Sequence, residues 1–242
     1  MIFYRIYQLL IMMPILLTAT ILAAIMTAVG SILFGGKWWG YWPAHIWAKL
    51  FCIMTFVRVT VVGRENISKG TSYVFVANHQ GAYDIFSIYG YLNHNFKWMM
   101  KKSLERIPLV GYSCRKAGHI YVDNHSPAAI RQTMQDAEKQ LAGGMSVVVF
   151  PEGSRTFDGK VHAFRRGAYT LAVEFGLPVV PVTIDGAFEV MPRTAWLPRP
   201  GHIKLTIHRP IEAPANGHDL KNLIEKSRET IISALPAEHS EQ

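Results

Sequence analysis

The sequence predicts an α/β domain with a mixed, largely parallel sheet flanked by helices, preceded by an N-terminal apolar helical membrane segment. Three observations predict it. After Arg58, short runs rich in β-branched residues alternate with stretches of helical period. Glycine and proline punctuate the joins, as at Gly143-Gly144 and Gly176–Pro178. Ahead of this pattern, no charged residue occurs from Ile6 to Gly36, which exceeds the ~20 residues a helix needs to cross a bilayer core. The organisation expected is therefore residues 1–57 as membrane-embedding helices and residues 58–242 as the α/β domain.

The elements follow in order. Pro14 lies inside the uncharged run and Gly30, Gly35 and Gly36 loosen its end, so a bend is expected there. The run is longer than the ~7–15 apolar residues of a signal-peptide core, which argues against cleavage. Trp38, Trp39, Trp42 and Trp47 come next, four of the six tryptophans, with Lys37 and Lys49 among them. Indole rings beside lysines favour a water–lipid boundary, so residues 44–56 read as an interfacial helix. Strands are expected at 57–62, 73–77, 120–122, 146–150, 179–184 and 203–208. Helices are expected at 84–92, 127–141, 166–175 and 220–235. Strand–helix alternation of this kind builds a parallel sheet.

Composition narrows the function. Half of the 242 residues are apolar and 17% are charged, which excludes a disordered chain. Two cysteines, Cys52 and Cys114, exclude a disulfide-stapled scaffold and point to a reducing compartment. The net charge of +8 suits an anionic partner. With the tryptophans gathered in the apolar segment, that partner is lipid rather than nucleic acid. Only Arg5 precedes the long apolar run, whereas Lys37, Lys49 and Arg58 follow it, which places the main domain on the cytoplasmic side of the inner membrane.

In open α/β sheets chemistry gathers where strands run out into loops. Three such loops stand out. In Asn78-His79-Gln80-Gly81-Ala82-Tyr83-Asp84 an apolar strand gives way to a helix start. A strand-to-helix turn lets Asp84 fold back on His79, fixing its tautomer so that the other ring nitrogen can take a proton from a hydroxyl. That is the histidine–aspartate half of a hydrolase triad, with the hydroxyl left to the substrate. A competing structural reading makes Asp84 a helix cap and His79 a loop residue. In Phe150-Pro151-Glu152-Gly153-Ser154-Arg155, Gly153 lets backbone approach a ligand and Arg155 can grip a phosphate, with Glu152 holding the arginine or a substrate hydroxyl. Lys101-Lys102-Ser103-Leu104 suits an anionic ligand or a solvated turn. His119, Asp123 and His125 match no metal-ligand spacing, so no metal is expected. A covalent route through Cys114 or Ser154 is disfavoured for want of a partnered histidine in sequence.

Taken in order, these blocks resemble the glycerolipid acyltransferase family, and most of all its bacterial 1-acyl-sn-glycerol-3-phosphate acyltransferases. N-H-x-x-x-x-D is met by Asn78, His79 and Asp84; K-K-S-L…I-P…G by Lys101 to Gly111; E-G-S-R by Glu152, Gly153, Ser154 and Arg155 after Phe-Pro. Phe164 with Gly167, and Val180-Pro181-Val182 with Ile184, complete the likeness over roughly residues 70–190. One block departs: Gly118, Ile120, Tyr121, Val122 and Asp123 fit, but Asn124 stands where the family carries arginine, leaving Arg115, Arg131 or His125 to supply the charge. The resemblance implies acyl transfer from acyl-CoA or acyl carrier protein to the sn-2 hydroxyl of lysophosphatidate. His79 and Asp84 would be catalytic. Lys101, Glu152, Gly153, Ser154 and Arg155 would bind substrate, and no cofactor beyond the thioester is implied. Another acceptor, or a non-catalytic module that binds anionic lipid, are the competing expectations.

Overall fold

The computed structural model describes residues 2–123, 125–141, 144–214 and 219–240. The chain begins with α1 (Ile2–Tyr7), a π-helical stretch Gln8–Met12, α2 (Met13–Phe34), α3 (Gly36–Trp39) and α4 (Trp42–Met54). The domain continues with β1 (Val57–Val62), β2 (Val74–Ala77), α5 (Tyr83–Tyr91), β3 (Phe96–Lys101), α6 (Val110–Lys116), β4 (Ile120–Val122), α7 (Pro127–Leu141), β5 (Ser146–Val149) and α8 (Gly167–Glu174). Then come β6 (Val179–Asp185), α9 (Ala187–Val190), β7 (Gly201–Ile207), α10 (Leu220–Ile232) and α11 (Ala237–Ser240).

The seven strands form one sheet in the order β1-β7-β6-β2-β5-β3-β4. β6, β2, β5, β3 and β4 are mutually parallel, while β7 runs antiparallel to β6 and pairs in parallel with β1. The mixed, largely parallel sheet expected from the sequence is thus present. Successive side chains of a strand point to opposite faces, and β2 shows the consequence. Phe75 and Ala77 join a core with α4, α5 and α9; Val74 and Val76 join a second core with α7, α8 and α10. Because both faces are buried, the central strands are continuous apolar runs.

Four features differ from expectation. Residues 96–101 form β3, which carries Lys97 buried in mid-sheet and so lacks an apolar pattern. Residues 110–116 form α6. Pro14 sits in the first turn of α2, and the preceding backbone opens into the π-helical stretch, which absorbs its missing N–H. Residues 44–56 do not lie free at an interface. α4 buries His45, Ala48 and Cys52, and Trp42 and Trp47 pack against the domain core. Trp47 Nε1 donates to Thr20 Oγ1 at 2.9 Å, tying α4 to α2. Of the four clustered tryptophans only Trp38 is exposed. These indoles therefore bond helix to helix, with Ile46 and Ile53 left on the open face of α4.

Candidate active site

Loops at the carboxyl ends of the parallel strands converge on one edge of the sheet. β2 ends at Ala77, and the next side chain, Asn78, is fully buried. Its Nδ2 donates to the Ile184 carbonyl and its Oδ1 accepts from the Ile184 N–H, both at 2.8 Å. Asn78 therefore anchors the start of the loop to β6 by both of its amide atoms.

His79 follows. Its Nδ1 lies 2.7 Å from Asp84 Oδ2, and Asp84 is buried in the first turn of α5. The Gly81 N–H donates to the same Asp84 oxygen at 2.9 Å. The carboxylate thereby closes the loop onto the helix start, where the helix dipole favours its charge. A carboxylate at Nδ1 requires the proton on that nitrogen, which leaves Nε2 as the basic lone pair. Among the described residues nothing bonds His79 Nε2. The imidazole lies flat on Phe150, with centroids 3.9 Å apart and planes 6° apart, and Phe150 in turn stacks on Trp98.

The β5–α8 loop grips the other side of His79. Glu152 Oε1 accepts the His79 N–H at 2.8 Å and Oε2 accepts the His162 N–H at 3.0 Å. The Thr156 N–H donates to the His79 carbonyl at 3.0 Å. Both backbone polar groups of His79 are thus held by the loop that carries Glu152 to Arg155. Glu152 is buried, and burial is the main cause that pushes its carboxyl up to about 7, against the two backbone N–H bonds, which pull it down. Its oxygens face backbone rather than Arg155. Gly153 adopts φ +77°, the left-handed region, and a Cβ there would press on the Arg165 guanidinium. Ser154 is exposed and Arg155 half-buried, its carbonyl accepting from Arg193 Nη1 at 3.2 Å.

Lys101 closes β3 on the same edge, exposed, with β5 between it and β2. The structure thus interlocks His79, Asp84 and Glu152, and sets Lys101 two strands away, ~10 Å at usual strand spacing. Asn124 lies outside the described residues. Of the nearby charges, Arg115 is in α6 and pairs with Glu105 at 2.7 Å, and Arg131 is exposed on α7. Burial pushes the Cys114 thiol up to about 11, which suppresses the nucleophilic thiolate. His119 is buried among Tyr89, Trp98 and Lys97, and burial holds it down to about 3, a neutral core histidine. Among the described residues no three His, Cys, Asp or Glu side chains cluster as metal ligands would. Asn78 and Phe150 stand inside the quoted motifs, but the sequence assigned them no role; the structure makes Asn78 the anchor of the loop and Phe150 the face on which His79 lies.

Residues 58–185, just over half the chain, match the family model described as Acyltransferase. The chain belongs to the Acyltransferase family. It is 34% identical over 199 residues to a 1-acyl-sn-glycerol-3-phosphate acyltransferase of Chlamydomonas reinhardtii, covering 80% of this chain and 58% of that one. It is 29% identical over 189 residues to a protein of the same description from Pseudomonas aeruginosa, covering 78% and 72%. The crystal structure of the 1-acyl-sn-glycerophosphate acyltransferase of Thermotoga maritima superposes with a TM-score of 0.67 at 27% identity, over 88% of this chain and 95% of that one. The matched region spans about half the length of the algal and plant relatives.

Proposed function

We propose that this protein transfers an acyl group from acyl-CoA or acyl carrier protein to the sn-2 hydroxyl of 1-acyl-sn-glycerol 3-phosphate, forming phosphatidate. The observation that carries the reading is the 2.7 Å His79–Asp84 pair, held at a sheet edge with Nε2 free of partners among the described residues. His79 Nε2 takes the hydroxyl proton as the oxygen attacks the thioester carbonyl. The C–O bond forms, the C–S bond breaks, and the imidazolium returns its proton to the departing thiolate. Asp84 stabilises the imidazolium, whose ring lies on Phe150. Arg155, with Lys101 along the same edge, holds the acceptor phosphate, and Gly153 and Ser154 shape the backbone around it. Glu152 acts by positioning His79. The reaction calls for no cofactor beyond the thioester.

The acceptor is a membrane lipid, and the apolar face of α1 and α2 would hold the domain on the cytoplasmic surface of the inner membrane. There the acceptor reaches His79 without leaving the lipid. Asn124, uncharged where relatives of the resembled family carry arginine, favours a second reading in which the acceptor is another lysolipid or glycerol 3-phosphate.

The test is release of free thiol from acyl-CoA by the detergent-purified chain, with lysophosphatidate and with a panel of other acceptors, repeated with acyl carrier protein as donor. General-base assistance is worth about 10²–10⁴-fold, so His79→Ala is expected to lower lysophosphatidate-dependent release by at least that order while the protein stays folded. Wild-type release by His79→Ala would refute the mechanism. Release stimulated by a different acceptor alone would move the protein to the second reading.

A further inference from the structure

On the sheet edge opposite the proposed active site lies a cavity of about 350 Å³, within the size range of small-ligand pockets. It opens where the parallel strands begin. Its walls include Gly36 and Lys37 at the start of α3, Lys97 near the start of β3, Arg115 (paired with Glu105), Lys116 and Gly118 around the end of α6, and Lys139 in the last turn of α7. Among the described residues no acidic side chain lines it. Lys37, Lys97, Lys116 and Lys139 form no ion pair among the described residues. An adjoining cavity, by contrast, carries Glu105, Asp123 and Asp136 along with its bases.

Lys97 is the telling member. It is 2% exposed, and among the described residues its ammonium donates only to the carbonyls of Gly36 and Ala117, both at 2.7 Å. Gly40 packs closely on the same cradle: a Cβ there would lie 3.0 Å from Lys97 Nζ and collide with the Gly36 and Ala117 carbonyls. Burial pulls the Lys97 ammonium down to about 8. A buried charge without a counter-charge is costly, and an anion in the cavity would supply one.

The rim indicates where that anion comes from. Leu33, Phe34 and Trp38 flank Gly36–Lys37 and are 65%, 72% and 54% exposed, continuing the apolar face that lipid must cover. We infer that this basic cavity is a binding site for the phosphate headgroup of an anionic membrane lipid, separate from the site of acyl transfer. Lys97 lies roughly 13 Å short of the catalytic edge along β3, so the headgroup seated here is not the acceptor attacked at His79. The site would pin the end of α2, the end of α6 and the sheet to one lipid. The inference does not depend on the acyl-transfer reading.

The experiment is amine footprinting of the full-length protein, read by mass spectrometry. Phosphatidylcholine vesicles with and without phosphatidylglycerol are compared, and inorganic phosphate or coenzyme A is added to the neutral vesicles in separate arms. Lys37, Lys116 and Lys139 are expected to be protected by the anionic vesicles, while Lys69, Lys204 and Lys226 are not. In a flotation assay the triple variant K37Q/K116Q/K139Q is expected to lose affinity for anionic vesicles on the order of 100-fold, from about 1 kcal/mol per lysine. The equal-charge control K69Q/K204Q/K226Q should lose far less. Equal protection of both lysine sets, or equal losses by both variants, would reduce the site to general surface attraction and overturn it. Protection by coenzyme A in neutral vesicles would reassign the cavity to the acyl donor, and protection by inorganic phosphate alone would remove the lipid from it.

Discussion

The carboxylate of Glu152 shows how far a residue's role depends on which way it faces. At a glycine turn beside an arginine it invites an ion-pair reading, yet both of its oxygens hold backbone N–H groups, one of them belonging to His79. Glu152→Gln would turn an NH₂ group toward one of those donors, and a buried N–H left without an acceptor costs about 1–3 kcal/mol. Thiol release by E152Q is expected to fall while the His79–Asp84 pair stays chemically intact. The pH dependence has a definite sign. Burial raises the folded value to about 7 from the ordinary 4.5 of a free glutamate, so the folded state binds the extra proton. This stabilising contribution is complete below pH 4.5 and is lost as pH rises through about 7. Urea midpoints should show the wild type losing on the order of 3 kcal/mol relative to E152Q across that window. Parallel pH profiles of the two proteins would remove the charge from the account.

At the scale of elements, the loops after β2 and β5 form one unit. Asn78 bonds β6 by both ends of its amide, and the β5–α8 loop bonds both backbone groups of His79. Asn78→Ala would leave the Ile184 N–H and carbonyl buried and unpaired. Its thermal unfolding in detergent is expected to report a loss of about 2–4 kcal/mol. Asn78→Asp should recover only part of this, since a carboxylate accepts from the N–H but cannot donate to the carbonyl. These two loops were legible because their chemistry is local: a histidine, a carboxylate and a glycine turn directly after apolar strands. β3 was not legible. Its sequence, Phe-Lys-Trp-Met-Met-Lys, shows neither alternation nor an apolar run, because Lys97 is buried by bonds to carbonyls distant in sequence. The stack of His79 on Phe150 and Trp98 likewise joins three separate strands, and spacing within one segment carries no signal of it.

For the whole molecule, the question is how the apolar N-terminus meets the bilayer. Composition alone allowed a spanning helix, and 33 residues from Ile2 to Phe34 are long and apolar enough. Packing adds what composition lacked. Gln8, Met12, Leu16, Ala24, Ala28 and Ser31 recur mainly at intervals of four and are buried along one face, with Gln8 Nε2 donating to the Pro198 carbonyl at 2.7 Å. Leu17 and Leu33, on the same helix, are exposed. A helix docked along its length on the domain should lie within one leaflet rather than cross. Spin labels at Leu17→Cys and Leu33→Cys are therefore expected at similar, shallow depths. The two positions are ~24 Å apart along the axis, so a crossing helix would place them at clearly different depths.

The central claim is that a carboxylate-steered imidazole activates the acceptor alcohol. Asp84→Asn tests it most directly, because it keeps the shape of the buried side chain while removing its charge. The measurement is the lysophosphatidate-dependent rate of thiol release by folded D84N. A fall of about 10²–10⁴-fold, with the thermal midpoint little changed, is the expected result; a rate equal to that of the wild type would contradict the account.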